Sequence, residues 1–269
     1  IVINAAAYTD GDPCEEDEAL ALRINGDGVG QLDRRCRDVG ARLVHYSTYY
    51  VFDGMGTEPY AVDASRRPVN AYGRTKAASE QLARQLQDEG HPVVVFYPGG
   101  VIGPPDPSGG EMTSALVDLF ARGSFPVPNK GGNLFIDSRD LAGAILAALE
   151  PGRGPRRFMA GGQFVTWTDW LAVLSEVSGR TFRTPSLPAG VLKGIGRTSE
   201  TVARLLRFDP PYTYEMAYYM TEAVPSDDSA LHEELGVRYR PVTETTHDLI
   251  RWLVATGHVP AEQVPALAD

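Results

Sequence analysis

The chain has 269 residues, of which 43% are hydrophobic and 22% charged, and a formal net charge of -10. That acidic balance argues against nucleic acid or an anionic membrane as partner, and no apolar run reaches the roughly 18 residues of a membrane span. The 2 cysteines and 5 histidines are scattered without metal-ligand spacing, so the composition fits a reduced, cytoplasmic, soluble protein with room for a substantial core.

Taken in chain order, strand-like and helix-like runs alternate, the pattern of a parallel sheet with covering helices. Ile1 to Ala7 reads as a strand, Glu16 to Val39 as mainly helix, and Arg42 to Ser47 as a second strand. Within the first helical stretch, Gly26, Gly28 and Gly30 read as packing glycines. The acidic run Glu15-Glu16-Asp17-Glu18 reads as helix-dipole complement and solvation rather than a metal site. Asn70 to Glu89 reads as helix and Val93 to Tyr97 as a strand breaking into a Gly/Pro loop. Pro104 to Gly110 continues that loop, and Met112 to Arg122 is helical. Leu134 to Ile136 is a short strand. Asp140 to Glu150 is an amphipathic helix stopped by Pro151-Gly152, and Arg157 to Met159 returns as a strand. Thr168 to Ser178 is a helix with Thr168 as N-cap and Gly179 as C-cap. Past Thr181 the alternation loosens, with helices over Val191 to Leu206 and Thr243 to Ala255. The aromatic segment Tyr212 to Met220 between them suits either an apolar pocket or the packing of a small lobe.

The residues that carry chemistry are Tyr72 and Lys76, four apart in Asn70-Ala71-Tyr72-Gly73-Arg74-Thr75-Lys76, with the pair Ser47-Thr48 upstream at a strand end. A helix puts positions i and i+4 on one face. A lysine ammonium there favours the phenolate and draws the tyrosine toward a working acid-base range. The Thr48 hydroxyl can hold the carbonyl oxygen that Tyr72 protonates. The hydride must come from a nicotinamide, since no side chain carries one. His45, inside the strand, reads as packed rather than catalytic.

The chain resembles the extended short-chain dehydrogenase/reductase family, and within it the dTDP-4-dehydrorhamnose reductase-like branch. The resemblance runs through Val2-Ile3-Asn4-Ala5-Ala6-Ala7-Tyr8-Thr9, the acidic stretch from Asp12 to Glu18, Asn25, His45-Tyr46-Ser47-Thr48, Tyr50-Val51-Phe52-Asp53-Gly54, Asn70, Tyr72-Gly73 and Lys76. It continues more weakly through Ser138 to Ala142, Thr166-Trp167, Glu234 to Val237 and Tyr239-Arg240-Pro241. It implies a Rossmann-like, doubly wound α/β fold with a smaller C-terminal substrate lobe. Residues 1–104 and 134–160 would form the cofactor domain, and 105–133 with 161–269 the substrate lobe.

The resemblance implies a catalytic set of Thr48, Tyr72 and Lys76, and NAD or NADP as cofactor. Ala5, Ala6, Ala7, Asn25, Ser47, Tyr72, Lys76, Pro98, Gly99, Gly100 and Val101 would contact it or support those that do. Two positions depart from the branch: Tyr49 stands where an acidic residue is usual, and Tyr97 where arginine is usual. The Gly-rich phosphate turn that places a pyrophosphate on a helix N-terminus is not in the sequence, whose first strand resembles the fourth of the fold. A fragment of a longer reductase is therefore expected, with weak dinucleotide binding on its own. The implied activity is reduction of a ketone, in particular a 4-keto sugar nucleotide. Epimerase or dehydratase chemistry, and a non-catalytic regulatory role on the same fold, remain open at this point. The resemblance also suggests a homodimer formed through the helices after Asn25 and Asn70.

Overall fold

The computed structural model describes all residues except 10, 107–110, 151–152, 209, 211 and 268–269, and only the backbone of 11, 12 and 111. The Pro/Gly loop expected up to Gly110 and the Pro151-Gly152 stop therefore fall partly or wholly outside the described residues. The chain divides into two compact units: 1–99 with 140–162 and 225–238, and 100–139 with 163–224 and 239–269.

The first unit is built on a parallel sheet. Its strands are β1 (Val2–Asn4), β2 (Leu43–Tyr46), β3 (Val93–Pro98) and β7 (Arg156–Ala160), in the order β1-β2-β3-β7. β3 is almost entirely buried, as expected where helices cover both faces of a parallel sheet. The helices of this unit are α1 (Gly11–Glu16), α2 (Glu18–Leu22), α3 (Gly28–Asp38), α4 (Ala71–Asp88), α6 (Ser138–Ala148) and α10 (Ser229–Leu235), the first two residues of α6 falling in the second unit. Leu43, Val51, Phe52, Ala83, Leu86, Val93, Val95, Tyr97 and Met159 form one core between sheet and helices.

Between α2 and α3 the helix widens into a π-helical turn, Arg23–Asp27. The uniform helix expected over Glu16 to Val39 is thus interrupted. Gly30 is a packing glycine, as read: a Cβ there would stand 2.6 Å from Leu82 Cδ2 of α4.

The second unit holds β4 (Gly100–Ile102), α5 (Glu111–Arg122), β5 (Val127–Pro128), β6 (Gly132–Asp137), β8 (Gln163–Thr166), α7 (Trp167–Ser178), β9 (Ser186–Leu187), α8 (Ala189–Leu206), α9 (Tyr214–Glu222) and α11 (Val242–Ala255). Its main sheet runs β4-β6-β8, and its core gathers Phe120, Phe135, Trp167, Trp170, Leu174, Leu192, Ile250 and Leu253.

Three expectations need correction. Gly100 to Ile102 is a strand rather than loop, and its glycine permits close pairing, since a Cβ at Gly100 would meet the Leu134 carbonyl at 3.0 Å. β4 and β6, in or overlapping the stretches 1–104 and 134–160 expected in the cofactor domain, lie in the second unit, where β6 pairs with β4 and β8. Helix α7 is capped by Thr166, not Thr168: the Thr166 hydroxyl accepts the Asp169 N–H at 3.1 Å. Gly179 is the C-cap, at φ 68°.

Candidate active site

β1, β2 and β3 are parallel, so their carboxyl ends lie side by side, the edge at which α/β sheets bind ligands. Ala5, Ala6 and Ala7 follow β1, Ser47 and Thr48 follow β2, and Gly99 follows Pro98 at the end of β3. The Ser47 N–H donates to the Phe96 carbonyl at 2.8 Å, and the Gly99 N–H to Ala160 at 3.2 Å. Gly100 and Val101 belong to β4 of the second unit.

The first two turns of α4 are held residue by residue. Asn70 is the N-cap, its side chain accepting the Gly73 N–H at 2.7 Å. The Ala71 N–H donates to the Glu15 carboxylate at 2.5 Å. The Tyr72 ring meets that of Tyr50 edge-on, 5.8 Å between centroids at 87°. Gly73 lies so close to the chain at Tyr50 that a Cβ would stand 2.4 Å from the Tyr50 carbonyl oxygen. Arg74 grips Glu18 with two bonds of 2.8 Å and reaches Glu15 at 3.5 Å. Thr75 donates to the Tyr72 carbonyl at 2.9 Å and accepts from Asn25 Nδ2 at 3.0 Å. The acidic run is therefore more than a solvated helix end. Glu15 and Glu18 anchor the turn that carries Tyr72, and only a pairing search against Arg74, 56 residues away, could have signalled it.

Asn25 is 1% exposed and sits in the π-helical turn. Its side chain accepts the Tyr8 N–H and donates to the Tyr8 carbonyl, both at 2.8 Å. Together with the Thr75 bond, this ties the segment after β1 to α4. π-Helical turns often accompany functional sites, and here the turn presents the Asn25 amide to two other segments at once.

Lys76 is 3% exposed, and its Nζ donates to the Tyr46 carbonyl at the end of β2. Burial holds the ammonium down to about 8. Beside it, His45 is 1% exposed. Burial first, and then the Lys76 charge, push its imidazole down to about 3, so it is a packed, neutral histidine, as read. Ser47 is buried, and its Oγ has no hydrogen-bond partner among the described residues. The Thr48 hydroxyl accepts the Tyr50 N–H at 3.3 Å, which leaves its own hydrogen to donate. Tyr49 packs edge-on against Tyr50, 4.6 Å between centroids. Tyr97 is fully buried, with its hydroxyl facing Arg66 rather than the strand ends.

Both cysteines are buried free thiols, and no described helix is long and apolar enough to cross a membrane.

Residues 1–99 match the family model described as "RmlD substrate binding domain". Over 85 residues the chain is 49% identical to a dTDP-4-keto-6-deoxy-D-glucose reductase of Streptomyces niveus, covering 32% of this chain and 30% of that one. Over 159 residues it is 35% identical to a dTDP-4-dehydrorhamnose reductase of Mycolicibacterium smegmatis, covering 58% and 46%. Over these stretches the chain is similar to dTDP-4-dehydrorhamnose reductases and their relatives. It spans less than half the length of these two relatives. Its fold is that of a Pseudomonas aeruginosa protein titled RMD, complexed with NADPH: TM-score 0.71, 19% identity, 94% of this chain and 81% of that one.

Proposed function

We propose that the chain reduces the 4-keto group of a nucleotide-linked deoxy sugar, with Tyr72 as acid, Thr48 holding the carbonyl oxygen and Lys76 supporting the phenolate. The observation that carries this reading is the placement of Lys76: a buried cation, anchored on the end of β2, one helical turn behind Tyr72. A cation so desolvated interacts strongly with a neighbouring phenolate, which lowers the cost of releasing the Tyr72 proton. Thr48 keeps a hydroxyl hydrogen for the oxygen that gains charge, the type of preorganised donor that stabilises a developing oxyanion. The resulting steps on the protein side are simple: Thr48 orients the carbonyl, Tyr72 gives its proton to the oxygen, and Lys76 offsets the charge left on the ring.

A bound NAD(P)H supplies the hydride. The residues at the strand ends suit its nicotinamide-ribose end. Ser47 Oγ is buried and unpartnered among the described residues, and the Lys76 ammonium has three N–H donors, of which the Tyr46 carbonyl takes one. Ala5, Ala6 and Ala7 offer a surface of small side chains beside them. Titles of relatives and neighbours that name a dTDP-4-keto sugar or NADPH support the same choice of substrate class and cofactor.

The test is turnover of a dTDP-4-keto-6-deoxy sugar, followed by loss of reduced-nicotinamide absorbance with NADPH and with NADH. Tyr72→Phe and Lys76→Met are expected to lose at least a hundredfold in kcat, the scale of a general acid, with the fold retained. Unchanged turnover in Tyr72→Phe would overturn the reading.

A further inference from the structure

A polar chain, buried at His45 and Ser79 and half-buried at Asn4, runs beneath the site and takes no part in the chemistry above. Asn4, at the end of β1, places its side-chain Nδ2 3.3 Å from His45 Nδ1, and Ser79 Oγ of α4 lies 3.3 Å from His45 Nε2. Ser79 in turn donates to the Lys76 carbonyl at 2.8 Å. The directions follow from the chemistry of each group. The Asn4 Oδ1 accepts the Ala6 N–H at 3.2 Å, so the Asn4 group facing His45 is the NH2, which can only donate. The Ser79 hydrogen goes to Lys76, so Ser79 Oγ must accept from the imidazole. One neutral tautomer meets both demands: Nδ1 bare, Nε2 protonated. An imidazolium would set N–H against N–H at Asn4 and place a second cation beside Lys76.

We propose that His45 is a positioning residue, a neutral strut that sets the spacing between the strand end at Asn4 to Ala6 and the turn of α4 that carries Lys76. The two ends of the strut are the functional ones. Ala5 to Ala7 follow Asn4 directly, and Ser79 fixes the carbonyl of Lys76 itself. Covalent continuity cannot set this spacing, because β1 and α4 are separated by more than sixty residues of chain. The inference rests on the reading of Tyr72 and Lys76 as the reacting groups.

The experiment compares wild type, His45→Phe, His45→Gln and Tyr72→Phe. The readouts are the Lys76 titration by lysine-labelled NMR, NADPH affinity, and kcat and KM for the dTDP-4-keto-6-deoxy sugar. His45→Phe, which keeps the ring and loses both bonds, is expected to move the Lys76 titration away from that of wild type. It should lower kcat about tenfold to a hundredfold, the scale of a misplacement near 1 Å, with KM for the sugar little changed. His45→Gln, which offers an amide donor and acceptor, should recover part of both losses. An unchanged Lys76 titration in folded His45→Phe overturns the proposal whether or not the protein turns over. A fully active Tyr72→Phe overturns the reduction reading instead, and the Lys76 titration still judges His45. Should His45→Phe not fold, Asn4→Leu and Ser79→Ala cut the chain at its two ends. Both should move the Lys76 titration in the same direction as His45→Phe would, and no change in either overturns the proposal.

Discussion

The Arg66 guanidinium lies over the Tyr97 ring, 5.5 Å from its centroid, and donates to the Tyr97 hydroxyl at 3.0 Å. The same guanidinium bonds Glu80 through Nε at 3.0 Å and through Nη2 at 2.7 Å. It also bonds the carbonyls of Val62 and Ala64, while Glu80, 1% exposed, receives Arg84 as well. Burial, and then the Glu80 charge, push the Tyr97 phenol up to about 12. Here a positive charge reaches the Tyr97 hydroxyl from position 66, in the segment that leads into α4. Tyr97 is therefore part of a buried cluster with Arg66, Glu80 and Arg84.

Arg66→Met should leave Glu80 buried with only Arg84 as a charged partner and cost about 3 kcal/mol, the scale of breaking a buried ion pair. Tyr97→Phe should cost about 1 kcal/mol for one hydrogen bond and leave turnover unchanged. Urea unfolding checks both. An Arg66→Met loss within about 0.5 kcal/mol, that of an ordinary surface change, would refute the account of this cluster.

Gly73→Ala sets two effects against each other. Alanine gains about 1 kcal/mol of helix propensity over glycine. Its Cβ would also stand 2.4 Å from the Tyr50 carbonyl oxygen, 2.9 Å from Asn70 Oδ1 and 3.0 Å from Pro68 Cβ. The contact with the Tyr50 carbonyl is with backbone and cannot be relieved by a rotamer change, so the clash wins. The variant should lose about 1–3 kcal/mol, and Tyr72, the adjacent residue, should lose activity with it. A more stable Gly73→Ala in thermal melts would contradict the close approach.

Lys76 couples stability to pH. Burial lowers it from the ordinary 10.5 to about 8. Below pH 8 both folded and unfolded chains hold the proton, and the cost of burying the charge is present in full. Between about pH 8 and 10.5 the unfolded chain binds the extra proton, so stability rises with pH across that window. Each tenfold change in proton affinity is worth about 1.4 kcal/mol, so the rise is on the order of 3 kcal/mol. Lys76→Met should flatten it and be the more stable protein at pH 7, while losing turnover. If the ammonium supports Tyr72, wild-type turnover should also fall above about pH 8. Denaturant melts across pH 7 to 11 decide the first point, and the rate profile the second.

The clamp of Glu15 and Glu18 on α4 is partly exposed, with about two-fifths to a half of each participating side chain open to solvent. Its contribution to stability should be modest, about 0.5–1 kcal/mol, and weakened by salt. The bond from Arg74, ahead of its charge, lowers the Glu18 carboxyl. That stabilisation is present above the ordinary carboxylate range and disappears as the pH falls through the folded value. Arg74→Met should therefore melt with less dependence on salt and on acid than wild type. Equal salt dependence in the two would show that the clamp contributes nothing.

The regular parts of the first unit were legible because their signals are local. The hydrophobic run Val93 to Phe96 could only be a strand covered on both faces, and the run of helix formers after Asn70 marked α4, whose N-cap by the Asn70 side chain the structure adds. The placement of Tyr72 and Lys76 on one face of α4 followed from the helical repeat. What stayed hidden depends on partners far away in the chain. Nothing local in Glu15 or Glu18 points to Arg74, and nothing in Arg66 points to Glu80 and Tyr97. β4 was missed because its glycine and the prolines after it are loop signals, outweighed here by pairing with β6. The Thr166 cap was displaced by two residues because Thr166 and Thr168 are equally good capping types, and only the bond to the Asp169 N–H separates them.

The widened turn Arg23–Asp27 makes chain length, rather than residue identity, the sensitive quantity in this stretch. An α-helix advances about 100° per residue, and a π-turn accommodates one residue more than the regular spiral. A deletion of a single residue there would let the spiral close and rotate everything downstream by that angle. Gly30 would swing off Leu82, and the buried side of α3 (Val29, Asp33 and Cys36) would face elsewhere. Substitutions along α3 should thus be tolerated far better than any change in the number of residues between Leu22 and Gly28.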